Sequence, residues 1–365
     1  MSNARLDCGD RRTPTARRPD RAHRHSEPGP KSWARVAAVW FRPVRDAMMK
    51  SRLLLSETNP AVLSVRKVLI ISAVLVAVSS SSAMAWGPAT HVKLASDVLS
   101  LLQLLPAGLA ALLAAQSRSY LFGNVAADVV VAKRLSRVKQ FCHHWQTGFA
   151  LLDDACTDAG RAFALGYLSH LAADTVAHSK FLPRQMTVTR TTMSFGHLYW
   201  ELRADTTIGP HYWRILRELL GEAFAEHEAS LSVRLTDTFL PFSLNWRLFY
   251  RTNHLVSREA WHRTMHRWSD WSRWHLSDQL MREYRAESVE RMLDVVINQR
   301  SAAVLREDPN GNAALAYTRM QRRQLRQMAR AGLAAPHILH EAEMVHAPRV
   351  SGLVAGRTHP IQRSA

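Results

Sequence analysis

The sequence has little cysteine, no strand-like alternation and few long apolar runs. Its three cysteines include no Cys-x-x-Cys pair, which argues against a disulfide framework, a thiolate zinc finger and a thioredoxin-like redox site. No stretch of useful length alternates apolar and polar residues, which argues against a β-sheet. The one long apolar run, residues 68–78, is shorter than the roughly 20 residues that cross a membrane. A membrane anchor is therefore not favoured.

The composition is that of a folded, basic protein. Hydrophobic residues make up 47% of the 365 residues, which is enough for a core and excludes wholesale disorder. The formal net charge is +18, but residues 1–85 hold 15 of the 48 basic residues and 6 of the 30 acidic ones. The remaining 33 basic against 24 acidic residues suit contact with lipid head groups or phosphates, and equally suit a soluble basic protein.

The segment around the apolar run has the layout of a secretory signal peptide. A basic pair at 66–67 precedes the run, and small residues ending in Ala-Met-Ala follow it at 79–85. Such a segment is cleaved after its last small residue, here Ala85. We therefore predict that residues 1–85 are a basic extension and signal peptide, that the mature chain begins at Trp86, and that the protein is secreted or periplasmic.

The part of the chain before this leader is unusual. Residues 1–47 are rich in Arg and Pro, and we expect translation to begin at Met48 or Met49, which gives a leader of ordinary length. The alternative is a disordered basic arm followed by an uncleaved helix. Because thiols oxidise outside the cytoplasm, Cys142 and Cys156 are candidates for one disulfide, although two isolated thiols explain the sequence equally well.

From Trp86 onward the apolar residues recur at three- and four-residue steps, a pattern that predicts helices. We predict an all-α, multi-helix protein in three parts. A domain core spans 86–205, additional helices at 206–335 pack on the same domain, and 336–365 form a loose C-terminal tail.

Two breaks in the helical pattern are expected. Residues 159–182 are predicted to form one buried helix that Pro183 stops, because proline cannot donate a backbone hydrogen bond. The sequence Asp-Pro-Asn-Gly-Asn at 308–312 predicts a turn, followed by a helix that runs to about residue 333.

The strongest chemical signal is His170-x-x-x-Asp174-x-x-x-His178. Steps of four residues turn about 400° around an α-helix, so the three side chains are expected on one face. All three are metal-binding types, and small alanines between them leave room for an ion. A buried hydrogen-bonded row of His and Asp is the structural alternative.

Further ligand-type residues lie in the same part of the chain. Nitrogen and oxygen donors without thiolates suit zinc, and their number implies more than one ion. A freshly exposed α-amino group is itself a metal ligand, because binding readily displaces its proton. The additional candidates are His197 and Glu201 at an i, i+4 step, the neighbours His143 and His144, Asp128 after a Gly-Asn turn, and His91 five residues after Trp86.

In order and spacing these motifs resemble the zinc-dependent phospholipase C family, which includes the catalytic region of glycosylphosphatidylinositol-specific phospholipase D. The resemblance covers Trp86 to about Asp205 and implies a cluster of two to three zinc ions in an all-helical domain. It implies ligation by the amino nitrogen and carbonyl oxygen of Trp86, with Asp174 bridging two ions. The implied ligands are Trp86, His91, Asp128, His144, His170, Asp174, His178, His197 and Glu201.

Two details of the motifs stay open at this point. Better-known secreted bacterial members have five residues between the triad aspartate and its second histidine, whereas Asp174 and His178 are separated by three. The shorter spacing resembles the phospholipase D branch, so the preferred head group and the ester bond that is cut are undecided. His144 is the expected ligand of the His143-His144 pair, with the neighbour in a supporting or substrate-facing position.

The resemblance implies hydrolysis of phospholipid head groups. Zinc lowers the pKa of bound water toward about 7 and neutralises charge on a phosphoryl group, and Asp128 would orient or deprotonate the attacking water. A zinc-dependent single-strand nuclease of related architecture is one alternative, which the triad spacing and a need for base-stacking aromatics disfavour. A non-catalytic, membrane-associated helical protein with a structural metal is the other.

A segment rich in Trp, His and Arg at 261–275 has two interpretations. It forms either a helix at a membrane surface or an ordinary helix that faces the core, and we favour the second. On a helix the apolar side would carry Trp261, Met265, Trp268 and Trp271, opposite His262, Arg263, His266 and Arg273.

Overall fold

A computed structural model describes residues 86–130, 141–191, 193–236, 238, 240–270, 272 and 274–351. Within these residues all regular structure is helical and no strand occurs, which confirms the predicted all-α class. The predicted leader, Cys8, Trp271 and Arg273 lie outside the described residues.

The helices follow one another with short connections. Short 3-10 turns occur at Leu102–Leu104, Phe141–His143, Gln299–Ser301 and Ala303–Arg306, and a π-helical turn at Ala177–Phe181. In chain order the α-helices are α1 Pro88–Leu99, α2 Ala107–Ala115, α3 Ser117–Ala126, α4 Trp145–Asp153, α5 Asp158–Val176, α6 Leu182–Val188, α7 Met193–Asp205, α8 Pro210–Gly221, α9 Ala225–Arg234, α10 Phe242–Val256, α11 Glu259–Asp270, α12 Asp278–Asn298, α13 Asn312–Arg330 and α14 Pro336–Val345.

Helix α5 is the central element of the core. Every residue from Ala162 to Val176 is buried, because α3, α4 and α12 pack around the helix. One apolar cluster extends from Trp86 to Leu315 and contains side chains from both predicted segments, 86–205 and 206–335. A helix that is covered on all sides can hold polar side chains only where they find partners.

Two glycines allow α3 and α5 to approach closely. A Cβ atom at Gly123 would overlap the carbonyl oxygen of Phe163, and one at Gly166 would overlap that of Tyr120. Only residues without a Cβ permit such an approach of two backbones. The contact holds the end of α3, and Asp128 just after it, against the polar part of α5.

The prediction that Pro183 ends the buried helix is wrong. The chain passes from α5 through the π-helical turn directly into α6, and Pro183 lies in the first turn of α6. Proline is tolerated there because the first N–H groups of a helix have no partner within it. The amide of Leu182 donates instead to the carbonyl of Ala177, which closes the π-helical turn.

The prediction of a loose tail at 336–365 is wrong for 336–351, which is ordered structure. Helix α14 buries Ile338 against Leu325 of α13. Tyr284 donates a hydrogen bond of 2.7 Å to the carbonyl of His346. These contacts hold the chain after α14 on α12, whereas 352–365 lie outside the described residues.

Two further observations complete the fold. Cys142 is buried and Cys156 is exposed, and the structure contains no disulfide between them. No helix of the described residues combines the length and the apolar character that crossing a bilayer requires.

Candidate metal centre

The predicted triad lies where α5 runs into the π-helical turn, and other elements bring polar side chains to it. His170, Asp174 and His178 are all completely buried. The elements that face them are α1 with His91, the turn after α3 with Asp128, the 3-10 turn Phe141–His143 with His143, and α7 with His197 and Glu201.

Asp174 is at the centre of the first group of donor atoms. Its Oδ1 lies 3.3 Å from Nε2 of His91. Its Oδ2 lies 3.2 Å from Nε2 of His143 and 3.3 Å from Nε2 of His170. The two carboxylate oxygens therefore face different imidazoles, as a bridging carboxylate requires.

Asp128 joins the same group of donor atoms. Its Oδ1 lies 3.3 Å from Nε2 of His143 and 4.0 Å from Nε2 of His170. The Asp128 side chain keeps 12% of its surface exposed, whereas Asp174 keeps 1%. Of the two carboxylates, Asp128 is thus the one that solvent or a substrate can reach.

A second group forms around His178. Its ring centroid lies 5.4 Å from that of His197, and Nε2 of His197 lies 3.3 Å from Oε1 of Glu201. The i, i+4 spacing on α7 places His197 and Glu201 on one side of that helix, as the sequence predicts. The predicted ligands thus form two adjacent groups rather than one.

His143 lies in the first group, whereas the sequence prediction named His144. The 3-10 turn ends at His143, and His144 has an extended backbone before α4. Successive side chains point in opposite directions along an extended chain. His143 is completely buried, with the thiol of Cys142 3.4 Å from its Nδ1, while His144 is only partly buried.

Trp86 is fixed beside α5 by its indole ring. The ring N–H donates to the carbonyl of Ala173 at 3.2 Å, and the ring stacks on Phe181 with centroids 4.9 Å apart. Both contacts involve residues close to Asp174 and His178 in the chain. The main chain of Trp86 is thereby held next to α5, and its role as a ligand stays a prediction.

Burial sets the charge state of His91 and His178. It lowers the pKa of His91 to about 4, and His170 nearby acts in the same direction. Burial also lowers the pKa of His178 to about 4. Burial alone would raise the pKa of Asp174, but the charge of His170 and contacts with His143 and His91 hold it well below its usual range. His91 and His178 are therefore neutral at neutral pH and Asp174 is ionised, which are the forms that bind metal.

The donor atoms fit a metal ion better than a hydrogen-bonded network. Both ring nitrogens of His91, Nε2 of His178 and both oxygens of Asp174 are buried without a hydrogen bond from the described residues. Leaving such groups unsatisfied is costly. Ligands at about 2.0–2.1 Å in tetrahedral zinc sites lie about 3.3 Å apart, close to the 3.2 and 3.3 Å between Asp174 and its imidazoles. Among the described residues, two trios hold donor atoms that all lie within 4.8 Å of one another, His91 with Asp128 and His170, and His143 with His170 and Asp174.

A cavity of about 90 Å³ opens beside the donor atoms. One water needs roughly 15 Å³, so the space admits several waters or a phosphoryl group. Its polar lining includes His91, Asp128, Glu201 and Asp205. Its apolar wall is formed by Val125, Val130, Leu198, Leu202, Trp213, Phe249, Val256, Trp261 and Met265.

The part of this cavity formed by α10 and α11 is not predicted by the sequence motifs. Phe249 of α10 and both Trp261 and Met265 of α11 follow no ligand motif, and only the apolar spacing of 261–265 gave a signal. The interpretation of α11 as a helix that faces the core agrees with the burial of Trp261. His262, expected on the opposite side, also lines the cavity and meets Trp213 edge-on at 4.0 Å.

Fold and site together define a class, the all-helical proteins that bury a cluster of nitrogen and oxygen metal donors. Residues 90–234 match the family described as zinc dependent phospholipase C. The predicted resemblance is thereby confirmed, and zinc dependence follows from the family. A search of curated proteins and a search of solved structures each found no match.

The matched segment divides the cavity between two parts of the chain. It contains His91, Asp128, His143 and the whole of α5 and α7. It ends with α9, so the wall residues from α10 and α11 lie beyond it. The donor atoms of both groups therefore lie in the matched segment, while helices outside it supply part of the cavity wall.

Proposed function

We propose that this protein is an exported zinc-dependent phosphodiesterase of the phospholipase C type that hydrolyses phospholipid head groups. The observation that carries the proposal is the cavity, which joins the donor cluster directly to an apolar wall. A phospholipid presents the same combination, a phosphodiester next to an apolar diacylglycerol. Export rests on the signal-peptide layout before Trp86 and on the need for a free amino group there.

The donor set assigns the metal-holding residues. His91, His143, His170 and Asp174 would hold metal in the first group, and His178, His197 and Glu201 in the second. Bound zinc would supply an activated water at neutral pH and neutralise charge that develops on the phosphoryl oxygens. Two to three ions match the number of donors.

Asp128 is the residue best placed to act on the attacking water. Its Oδ1 is within 3.3 Å of the buried His143, and the residue also lines the cavity. A carboxylate at this position accepts a proton from water without leaving the donor cluster. The buried Asp174 has no such access, since its side chain is 1% exposed.

The cavity does not suit a nucleic acid. Its lining residues in the described part of the chain include no Lys or Arg, whereas proteins that bind single strands follow the backbone with basic residues. Base stacking also requires accessible aromatic faces, but Trp213 is 4% and Trp261 8% exposed. Diacylglycerol needs neither feature, since it contacts an apolar wall.

Paired assays test the proposal. Zinc-loaded mature protein is incubated with phosphatidylcholine in mixed micelles and, separately, with single-stranded DNA, each with and without a chelator. We expect chelator-sensitive release of the head group and no cleavage of DNA. Cleavage of DNA without release of the head group would show that the protein is a nuclease.

A cavity variant tests the role of the wall. Met265→Gln places a polar group in the apolar wall, whereas Met320→Gln makes the same change at an exposed position of α13. We expect Met265→Gln to lower kcat/KM for a long-chain phospholipid by about tenfold and to spare a small soluble phosphodiester. Met320→Gln is expected to change neither substrate. Equal losses on both substrates would contradict an acyl-binding wall.

A further inference from the structure

We propose that the turn at 308–312 is a positioning element of the metal centre. It lies outside the matched segment 90–234, and neither the motifs nor the family resemblance includes it. The inference rests on the proposed zinc site and states which residues orient two of its histidines. The turn would affect how tightly zinc is bound, whichever substrate the protein hydrolyses.

The first contact fixes the ring of His178. Its Nδ1 lies 2.6 Å from the carbonyl oxygen of Pro309. A carbonyl can only accept, so Nδ1 carries the proton and donates, which leaves the lone pair on Nε2. That Nε2 is buried without a hydrogen bond from the described residues. The Pro309 carbonyl thus sets the tautomer in which His178 can bind an ion.

The same arrangement occurs at His170, within the matched segment 90–234. Its Nδ1 lies 2.8 Å from the carbonyl of Asn124, while its Nε2 lies 3.3 Å from Oδ2 of Asp174. Backbone carbonyls that hold the second nitrogen of a ligating histidine orient the ring and tune the metal site. His178 receives this support from a segment 131 residues away in the chain.

The second contact holds the backbone of His143. The side-chain amide of Asn310 donates to the His143 carbonyl at 3.0 Å. The short 3-10 turn that carries His143 has few backbone bonds of its own, so this bond restrains where its ring lies. One turn therefore contacts both groups of donors, His143 in the first and His178 in the second.

The sequence of the turn makes it rigid. Asp308 accepts hydrogen bonds from the amides of Asn310 at 2.9 Å and Asn312 at 3.0 Å. Pro309 has a fixed φ, and Gly311 adopts a φ of +58°. A Cβ atom at Gly311 would lie 2.5 Å from the carbonyl oxygen of His178. Glycine is thus required both by the backbone conformation and by the close approach to the ligand.

The turn is also anchored to the core. Trp145 of α4 donates to the carbonyl of Glu307 at 2.9 Å. The Glu307 carboxylate pairs with Arg291 of α12, which in turn donates to Thr175 of α5 at 2.7 Å. These contacts connect the residue before the turn to the helix that carries Asp174.

A pair of glycine variants tests the proposal. Gly311→Ala and Gly332→Ala both place alanine at a positive φ, +58° and +69°, but a Cβ atom at Gly332 meets nothing within 4 Å. Both changes carry the strain of a left-handed alanine, and only the first pushes on His178. Zinc affinity is measured on chelated protein by competition with a metal indicator, and the visible spectrum of Co2+-loaded protein reports ligand geometry.

We expect Gly311→Ala to weaken zinc binding by about tenfold or more and to alter the Co2+ spectrum. Gly332→Ala is expected to retain wild-type affinity and spectrum. A second pair, Asn310→Ala against Asn298→Ala, decides the question if Gly311→Ala fails to fold. Asn310→Ala removes the bond to His143 and should weaken zinc binding, while Asn298→Ala removes only a bond to Asp294 on the exposed side of α12 and should not.

Equal zinc affinity within each pair would overturn the inference. That result would leave the proposed function intact if the wild-type protein still hydrolyses phosphatidylcholine. Conversely, tight zinc binding that depends on Gly311, without hydrolysis of phospholipid, would overturn the proposed function and support the positioning role. The two proposals therefore fail through different measurements.

Discussion

Replacing Asp205, which lines the cavity, with asparagine tests how a buried charge affects the free energy of unfolding. Asp205 ends α7 and is 5% exposed. Its Oδ1 accepts hydrogen bonds from the backbone amide of Thr90 at 3.1 Å and from its hydroxyl at 2.6 Å. Burial nevertheless dominates and raises the pKa of the carboxyl to about 6. Asparagine keeps an acceptor oxygen and removes the charge.

The size of the effect follows from that pKa. The difference between about 6 in the folded protein and the ordinary 3.8 corresponds to about 3 kcal/mol, at roughly 1.4 kcal/mol for each pH unit. Because the folded pKa is raised, the folded state binds the proton more tightly than the unfolded state. This stabilisation is complete below about pH 3.8 and is lost as the pH rises through about 6.

The wild-type protein and Asp205→Asn are compared by urea unfolding of chelated protein between about pH 4 and pH 7. We expect the variant to gain about 2–3 kcal/mol of unfolding free energy relative to wild type across this range. Asp205→Ala, which removes the acceptor as well, should be destabilised near pH 4, where the wild-type carboxyl is neutral. A stability difference between Asp205→Asn and wild type that does not change with pH would contradict a raised pKa of Asp205 in the folded protein.

Three further predictions concern the metal centre. Amino-terminal sequencing of active secreted protein should begin at Trp86, and intact upstream residues would contradict ligation by its amino group. Chelation should abolish activity and lower the Tm together, whereas Cys142→Ser should leave the zinc content unchanged, because a hydroxyl can take the place of the thiol beside His143. Asp174→Asn should lose at least one zinc and lower the Tm, while Asp128→Asn should keep most of the zinc and slow head-group release by roughly a hundredfold; equal metal loss in both would make Asp128 purely a ligand.

The sequence was sufficient to predict the helical fold and the common face of the central site residues. His170 and Asp174 lie four residues apart in an uninterrupted α-helix, so their common face follows from helical geometry alone. His197 and Glu201 follow the same rule on α7. Such local pairs are predictable because the distance between their side chains depends on a single element.

Contacts between distant segments could not be predicted in this way. The choice between His143 and His144 depends on where a 3-10 turn ends, and both residues have the same side chain. The contact of Pro309 with His178 uses a backbone carbonyl, which no residue pattern encodes. The wall residue Phe249 reaches the cavity only because α10 packs on α8.

The helical segment from α5 to α6 is continuous, but the π-helical turn at Ala177–Phe181 changes the direction in which its side chains point. An extra residue in a turn rotates everything after it by about 100° relative to an uninterrupted α-helix. Before the turn, α5 directs His170 and Asp174 at the donor cluster. After it, α6 directs Leu182 and Met186 into the core. Deleting one residue such as the half-buried Ser179 would therefore turn α6 away from its packing partners. Substituting the same residue would leave the orientation of α6 unchanged. At this position the number of residues in the chain matters more than their identity.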